Sequence, residues 1–212
     1  MRKMFFLGCL ILFFPSMLSA QDKIERPIWN VGDKWVFHRE GPMEVLGIDK
    51  NGYVVKFSGG IFQQSQTGAA IFDTSTLNIL YLIKETKLQE YMETRKRIFD
   101  FPYTVGKEWK DSYWRKSARH IEKFSVDGWE EIEVRAGKFR ALKMQYNLEV
   151  EGPPGAIRMG VMPVGPRGRV WYWYSPEVKN FVKCQHPQGF MEGPHDLQVR
   201  EDWELESFQL RK

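Results

Sequence analysis

The sequence predicts an all-β protein: a single antiparallel, strongly curved sheet, a half-barrel or a sandwich, of about ten strands. Three observations predict it. Apolar and polar residues alternate over short runs, as in "LQVREDWELESFQL" (197–210). Turn residues return about every ten positions. Asn51-Gly52 stands between two apolar runs, and the hairpin turn such a pair makes needs positive φ.

The first element is a leader. Arg2 and Lys3 precede the apolar run "MFFLGCLILFF", and "PSMLSA" supplies small residues before "QDKIERP". This is the layout of a secretory signal peptide covering residues 1–20, with cleavage expected after Ala20 and Ser19 as an alternative. The apolar run is too short to span a bilayer as a helix, which takes about 20 apolar residues. Lipoprotein processing at Cys9 is disfavoured, since about three apolar residues precede it. Arg2 and Lys3 leave with the leader, so the 31 basic residues fall to 29 against 27 acidic ones, a net charge of +2. That small excess gives no argument for nucleic acid. Cys9 leaves too, and Cys184 remains without an intrachain disulfide partner. Residues 21–212 are long enough for one domain stabilised by burial alone.

The strands follow in order. "GDKWVFHRE" (32–40) and "PMEVLGI" (42–48) are extended, and the turn "DKNG" (49–52) returns the chain into "YVVKFSG" (53–59). "GAAIFDTSTLNILYLIKE" (68–85) and "KLQEYMETRKRIFDF" (87–101) are two further extended segments. The second also fits a helical stripe through Leu88, Tyr91, Met92 and Arg95, but neither end carries a cap, which favours strand. "EEIEVRAGKFRALKMQYNLEV" (130–150) is a hairpin turning at "RAGK". "GRVWYWYSPEVKNFVKCQ" (168–185) is another, turning at Ser175-Pro176-Glu177, where proline suits the second turn position. Residues 151–168 and 186–196 are rich in Gly and Pro yet carry apolar side chains. Such loops pack down on the sheet or cover something. An internal echo joins "WNVGDKW" (29–35) to "YTVGKEW" (103–109), consistent with two lobes, 21–100 and 101–212, or with a recurrent way of opening a strand.

"VGKEW" (105–109), "VRAGKFRALKM" (134–144) and "VWYWYSPEVKNFVK" (170–183) together resemble a group of uncharacterised secreted bacterial β-proteins in which these segments recur in this order. More loosely, the chain is similar to half-barrel envelope carriers of the LolA kind. That resemblance implies a curved antiparallel sheet with an apolar concave face. It brings no catalytic residues, and residues 151–168 depart from the pattern.

The aromatic strand is the leading candidate site. Alternation puts Trp171 and Trp173 on one face and Tyr172 and Tyr174 on the other. If Tyr174 pairs Lys179, then Tyr172 meets Phe181 and Trp171 meets Val182. Both faces then carry large apolar groups, which a sheet wetted on one side does not require. One face is expected in the core and the other under a loop, a ligand or a partner. Aromatics dominate cores, so packing alone accounts for much of this. The ligand-lining candidates are Trp171, Tyr172, Trp173 and Phe181, with Met159, Met162, Phe190 and Met191 as covering residues. A second candidate is metal or nucleophile chemistry at Cys184, His186 and His195, whose side chains suit zinc. Their spacing matches no recognised site, and Cys184–His186 lacks an evident third group to orient the imidazole. The carboxylate pairs Glu130-Glu131 and Glu201-Asp202 read as solvated strand faces. Serine-elbow, metalloprotease, phosphate-loop and dinucleotide motifs are absent from the sequence.

The basic runs "TRKR" (94–97) and "RKSAR" (115–119) are interspersed with acids and read as solubilising faces. An outer-membrane barrel is disfavoured, because "KEWKDSYWRKSARHIEKF" (107–124) is charged on both faces. The sequence therefore favours a secreted or periplasmic, non-enzymatic β protein without a cofactor. It would bind an apolar, lipid-like ligand or an envelope partner on a curved sheet, with no nucleic acid and no transmembrane segment after cleavage. The alternatives are a ligand-free structural or interaction module of the envelope, and a metal-dependent hydrolase.

Overall fold

A computed structural model of the chain describes residues 23–58, 68–84, 87–90, 97–115, 118–152, 169–186, 191–192, 196–199 and 202–212. Every regular element among them is a strand. In chain order these are β1 (Lys34–Phe37), β2 (Gly41–Ile48), β3 (Tyr53–Phe57), β4 (Gly68–Phe72), β5 (Ile79–Lys84), β6 (Lys87–Glu90) and β7 (Glu108–Arg115). The others are β8 (Ala118–Val134), β9 (Gly137–Glu151), β10 (Arg169–Ser175), β11 (Asn180–Gln185), β12 (Met191–Glu192), β13 (Asp196–Val199) and β14 (Trp203–Gln209).

Twelve of these strands form one antiparallel sheet in the order β6-β5-β4-β3-β2-β1-β14-β11-β10-β9-β8-β7, and β12–β13 is a separate pair. The sheet ends on β6 at one edge and β7 at the other, so it does not close into a barrel. Two meanders run outward from its middle. They meet where β1, near the start of the chain, pairs β14 at its end, with Trp35 opposite Phe208. The sheet bends strongly. β8 and β14 are separated by three strands, yet the Ala136 amide, at the tip of the β8–β9 hairpin, donates to the Leu205 carbonyl at 3.0 Å.

The turns show why these residues fold this way. Asp49 Oδ1 accepts from the amides of Asn51 and Gly52, at 2.7 and 2.9 Å, which fixes the expected β2–β3 hairpin. The run 68–85, expected as one extended segment, is instead the β4–β5 hairpin. Asp73 Oδ1 accepts from the amides of Ser75 and Thr76, and Leu77 takes φ 59°, so the chain reverses there. Those hydrogen bonds, with one from the Ser75 hydroxyl, hold the Asp73 carboxyl below its ordinary range although partial burial opposes them. The terminal run 197–210 is likewise divided, into β13 and β14. The β8–β9 hairpin turns at Arg135 and Ala136, as "RAGK" predicts. Of the segment that fitted either helix or strand, residues 87–90 are strand, and 91–96 lie outside the described residues.

Two local devices occur in both meanders. The Gly32 amide (φ 88°) donates to Val45 O, and the Val45 amide donates in turn to Asp33 O. Gly106 (φ 82°), Val126 and Lys107 repeat that arrangement, with all four bonds between 2.8 and 2.9 Å. Each valine is followed by a bulge, after Val45 in β2 and after Val126 in β8. The β4–β5 and β10–β11 hairpins also match. Each has a register shift just before the last aromatic residue of its first strand, Phe72 or Tyr174, and a left-handed residue five further on, Leu77 at 59° or Lys179 at 60°.

The two meanders are locked by tryptophan. Trp35 Nε1 donates to Val178 O at 2.8 Å and Trp29 Nε1 to Lys179 O at 3.1 Å, so both indoles, fully buried, hold the β10–β11 turn. Asp33, also fully buried, accepts from the Asn30 amide at 2.8 Å and the Arg211 amide at 2.6 Å, with Lys179 Nζ 3.7 Å away.

Candidate functional site

The hairpin β10–β11 does not take the expected register. Tyr174 pairs Phe181 rather than Lys179, and Tyr172 and Trp171 pair Cys184 and Gln185 rather than Phe181 and Val182. The cause is local. The turn runs from Ser175 to Asn180, wider than a four-residue turn, with Lys179 left-handed, and Val182 is left unpaired as a bulge. The alternation along β10 itself holds, and its two faces meet different surroundings.

The tyrosine face lies in a continuous run of aromatic rings. Tyr172 and Tyr174 flank Phe181, at centroid distances of 5.4 and 5.7 Å. From Tyr172 the contacts pass through Tyr146 (6.5 Å) and Phe124 (5.0 Å) to Trp109 (4.9 Å). From Phe181 they pass through Phe99 (5.2 Å) to Trp29 (6.2 Å), which touches Trp35 and Phe72. Edge-to-face and offset arrangements of this kind add to the area that the rings bury. The network links both meanders across the bent sheet. Tyr174 is fully buried, and Phe181 is 5% exposed, whereas Tyr172 is half-buried.

The tryptophan face is covered by charged side chains. Trp173 Nε1 donates to Glu130 Oε2 at 2.8 Å, and Lys143 Nζ donates to Glu130 Oε1 at 2.9 Å. The ammonium groups of Lys143 and Lys183 stand 5.4 and 5.1 Å from the Trp173 ring. Both ammonium groups thus lie over the face of the indole, in cation–π geometry. The Trp173 and Lys143 hydrogen bonds hold the Glu130 carboxyl below its ordinary value. Trp173 is thereby buried, and Trp171 is half-buried. Of the four lining candidates, then, Trp171 and Tyr172 are the ones that retain accessible surface. Met159, Met162 and Phe190 lie outside the described residues, and Met191 is described only as part of the backbone of β12.

The second candidate cluster is described in part. Cys184 is buried, and its Sγ is 3.9 Å from both ring nitrogens of His186. Equal distances place the sulfur beside the ring rather than along one N–H axis, which is not the in-line geometry for proton transfer. Asp202 supplies the third group that the sequence did not make evident. Its Oδ1 accepts from the His186 amide at 2.7 Å and lies 3.6 Å from Nδ1. A thiol covered by the sheet is nonetheless out of a substrate's reach. His195 lies outside the described residues, and among those described no group of three or more His, Cys, Asp or Glu is placed to hold a metal.

A buried carboxylate escaped the sequence reading. Glu122 sits in the run read as charged on both faces, yet it is fully buried. Its Oε1 accepts from the Tyr146 hydroxyl at 3.0 Å and is 3.4 Å from that of Tyr113. Burial, with the Glu122 charge beside it, pushes the Tyr146 phenol well above its ordinary range. Strict alternation along β8 was the available signal. Glu122 falls in step with Phe124 and Val126, both of them buried.

No family model matches the chain, and no curated protein matches it in sequence. Two solved structures match in shape. One is a candidate lipoprotein from Parabacteroides distasonis ATCC 8503, 17% identical with a TM-score of 0.41, over 89% of this chain and 100% of that one. The other is a candidate exported protein with a YmcC-like fold from Bacteroides fragilis NCTC 9343, 10% identical with a TM-score of 0.39, over 88% and 99% of the two chains. At these values neither likeness carries an argument about the chemistry or location of this chain.

Proposed function

We propose that this chain is an exported, non-enzymatic β protein that holds an apolar, lipid-like ligand against its bent sheet. The observation that supports the reading is the half-buried Tyr172, which stands at the margin of a continuous buried ring network through Phe181 and Tyr146. Apolar surface left at the margin of such a network is where a greasy molecule gains most by leaving water. The leader at residues 1–20 supports export to the periplasm or beyond.

A second reading, a ligand-free interaction module of the envelope, draws support from Trp173 and Tyr174, which the chain's own side chains bury. Native mass spectrometry of the gently purified, exported protein separates the two. Added mass in the range of a lipid is the expected result, and a bare polypeptide mass under conditions that preserve bound lipid contradicts the first reading. The same spectrum reports the mass of the N-terminus. A chain beginning at residue 21 is expected, and one retaining the leader contradicts the assignment of residues 1–20.

A further inference from the structure

β7 is an open edge of the sheet: among the described residues no strand pairs its outer side. It runs for eight residues, Glu108–Arg115, without a proline. The Val126 carbonyl accepts from the Gly106 amide and the Val126 amide donates to Lys107 O, so the backbone groups of Val126 face β7. Such groups alternate along an antiparallel pair. Trp109, Asp111 and Tyr113 therefore turn theirs toward β8, and Lys110, Ser112 and Trp114 turn theirs away from the sheet. The Ser112 amide accordingly donates to the neighbouring Asp111 Oδ1, at 2.8 Å, instead of to β8. Trp114, 70% exposed, is the most exposed large apolar side chain among the described residues. A long edge with free backbone groups and an uncovered indole is a template for another strand.

We propose that the strand it receives is β7 of a second copy of this chain, paired antiparallel about a two-fold axis at Ser112. The strand's own sequence selects that partner and that register. A two-fold axis normal to the sheet sets one residue against its own copy. Centred on Lys110 it opposes two ammonium groups, and centred on Asp111 two carboxylates, both unfavourable. Centred on Tyr113 it shortens the paired run within β7 from 109–115 to 111–115. Centred on Ser112 it opposes two hydroxyls, and it sets Lys110 against Trp114 and Asp111 against Tyr113, twice each. Lys110, Ser112 and Trp114 are the residues with outward backbone groups, so each of their opposing pairs exchanges two hydrogen bonds. The sheet already uses the lysine–tryptophan pair. On adjacent strands Lys143 and Lys183 stand directly opposite Trp173, with their ammonium groups over its ring. Lys110 of one copy gives Trp114 of the other the same partner. The pairing closes on itself, so assembly stops at two copies.

Sedimentation equilibrium of the mature protein at high micromolar concentration tests this. Twice the monomer mass is expected for wild type. Ser112→Pro removes an outward amide that β8 does not use, and Trp114→Ala removes an exposed indole. Both variants should therefore fold, and both should return to the monomer mass. The register is read by cysteine pairs oxidised with diamide, which takes up the two thiol hydrogens as the S–S bond forms. Ser112→Cys sets its α-carbon about 5.5 Å from that of its copy, within disulfide reach, and should cross-link. Lys110→Cys sets the two roughly 14 Å apart and should not. Cys184 is buried and stays out of the reaction. A wild type that is monomeric, or that assembles beyond two copies, overturns the proposal. So does either Ser112→Pro or Trp114→Ala remaining dimeric, and so does a Ser112→Cys that cross-links no better than Lys110→Cys.

Discussion

Trp173 shows how a single side chain divides between packing and electrostatics. Two lysine ammonium groups stand over its ring and its Nε1 donates to Glu130. Trp173→Ala should cost about 3–5 kcal/mol in chemical denaturation, as removal of a core indole does. Trp171→Ala, at a half-buried position, should cost less. Equal melting of both variants and wild type would contradict the burial of that face. The Glu130 carboxyl, held low mainly by the Trp173 hydrogen bond and then by Lys143, gives a pH dependence of known sign. A group depressed in the folded state stabilises above its unfolded value and loses that contribution as pH falls through its folded value. Stability that Glu130 supplies is thus complete above pH 4.5 and declines below it. Glu130→Gln should flatten that part of the profile in melts from pH 6 to 3. An unchanged acid slope would show that the bond to Trp173 contributes nothing. The composition of this cluster could not be read from one strand, because Glu130, Lys143, Trp173 and Lys183 come from four.

At the scale of elements, turns decide the register, and they were legible in proportion to their chemistry. Asp49-Lys50-Asn51-Gly52 announces its hairpin. A side chain at Gly52, where φ is 153°, would overlap the Phe72 carbonyl oxygen of the neighbouring strand. Gly52→Ala should therefore cost roughly 3 kcal/mol, measured by denaturant midpoint. A cost near zero would mean that β3 and β4 are not held this closely. The Asp73 turn lacks glycine and proline and works through a carboxylate capping two amides, which is why the run 68–85 read as a single segment. The aromatic hairpin was placed correctly and registered wrongly. A left-handed lysine and one bulged valine are each worth little locally, and the packing of Trp29 and Trp35 on the turn selects them.

At the scale of the molecule, the class of fold was plain from alternation and turn spacing: all-β, antiparallel, one curved sheet. The order of strands was not, since it depends on the ends of the chain meeting. Asp33 fastens that junction through Arg211 and Asn30. Asp33→Ala leaves two partly buried amides without their acceptor and should cost about 1–3 kcal/mol in denaturant titration. It should also raise amide exchange in β1 and β14 more than in β8 and β9. Uniform exchange across the sheet would contradict the junction's place in the middle of it.

The claim that the ring network ends in a surface for greasy molecules has a direct optical test. Bromine on an acyl chain quenches tryptophan fluorescence at contact, so a monoglyceride with a brominated acyl chain can be titrated into wild type and into Trp203→Phe, Trp203 being the indole 6.4 Å from Tyr172 on the network's face. Quenching of wild type that saturates, and that falls in Trp203→Phe, is the predicted result. A wild-type protein whose fluorescence is indifferent to the brominated lipid would contradict it.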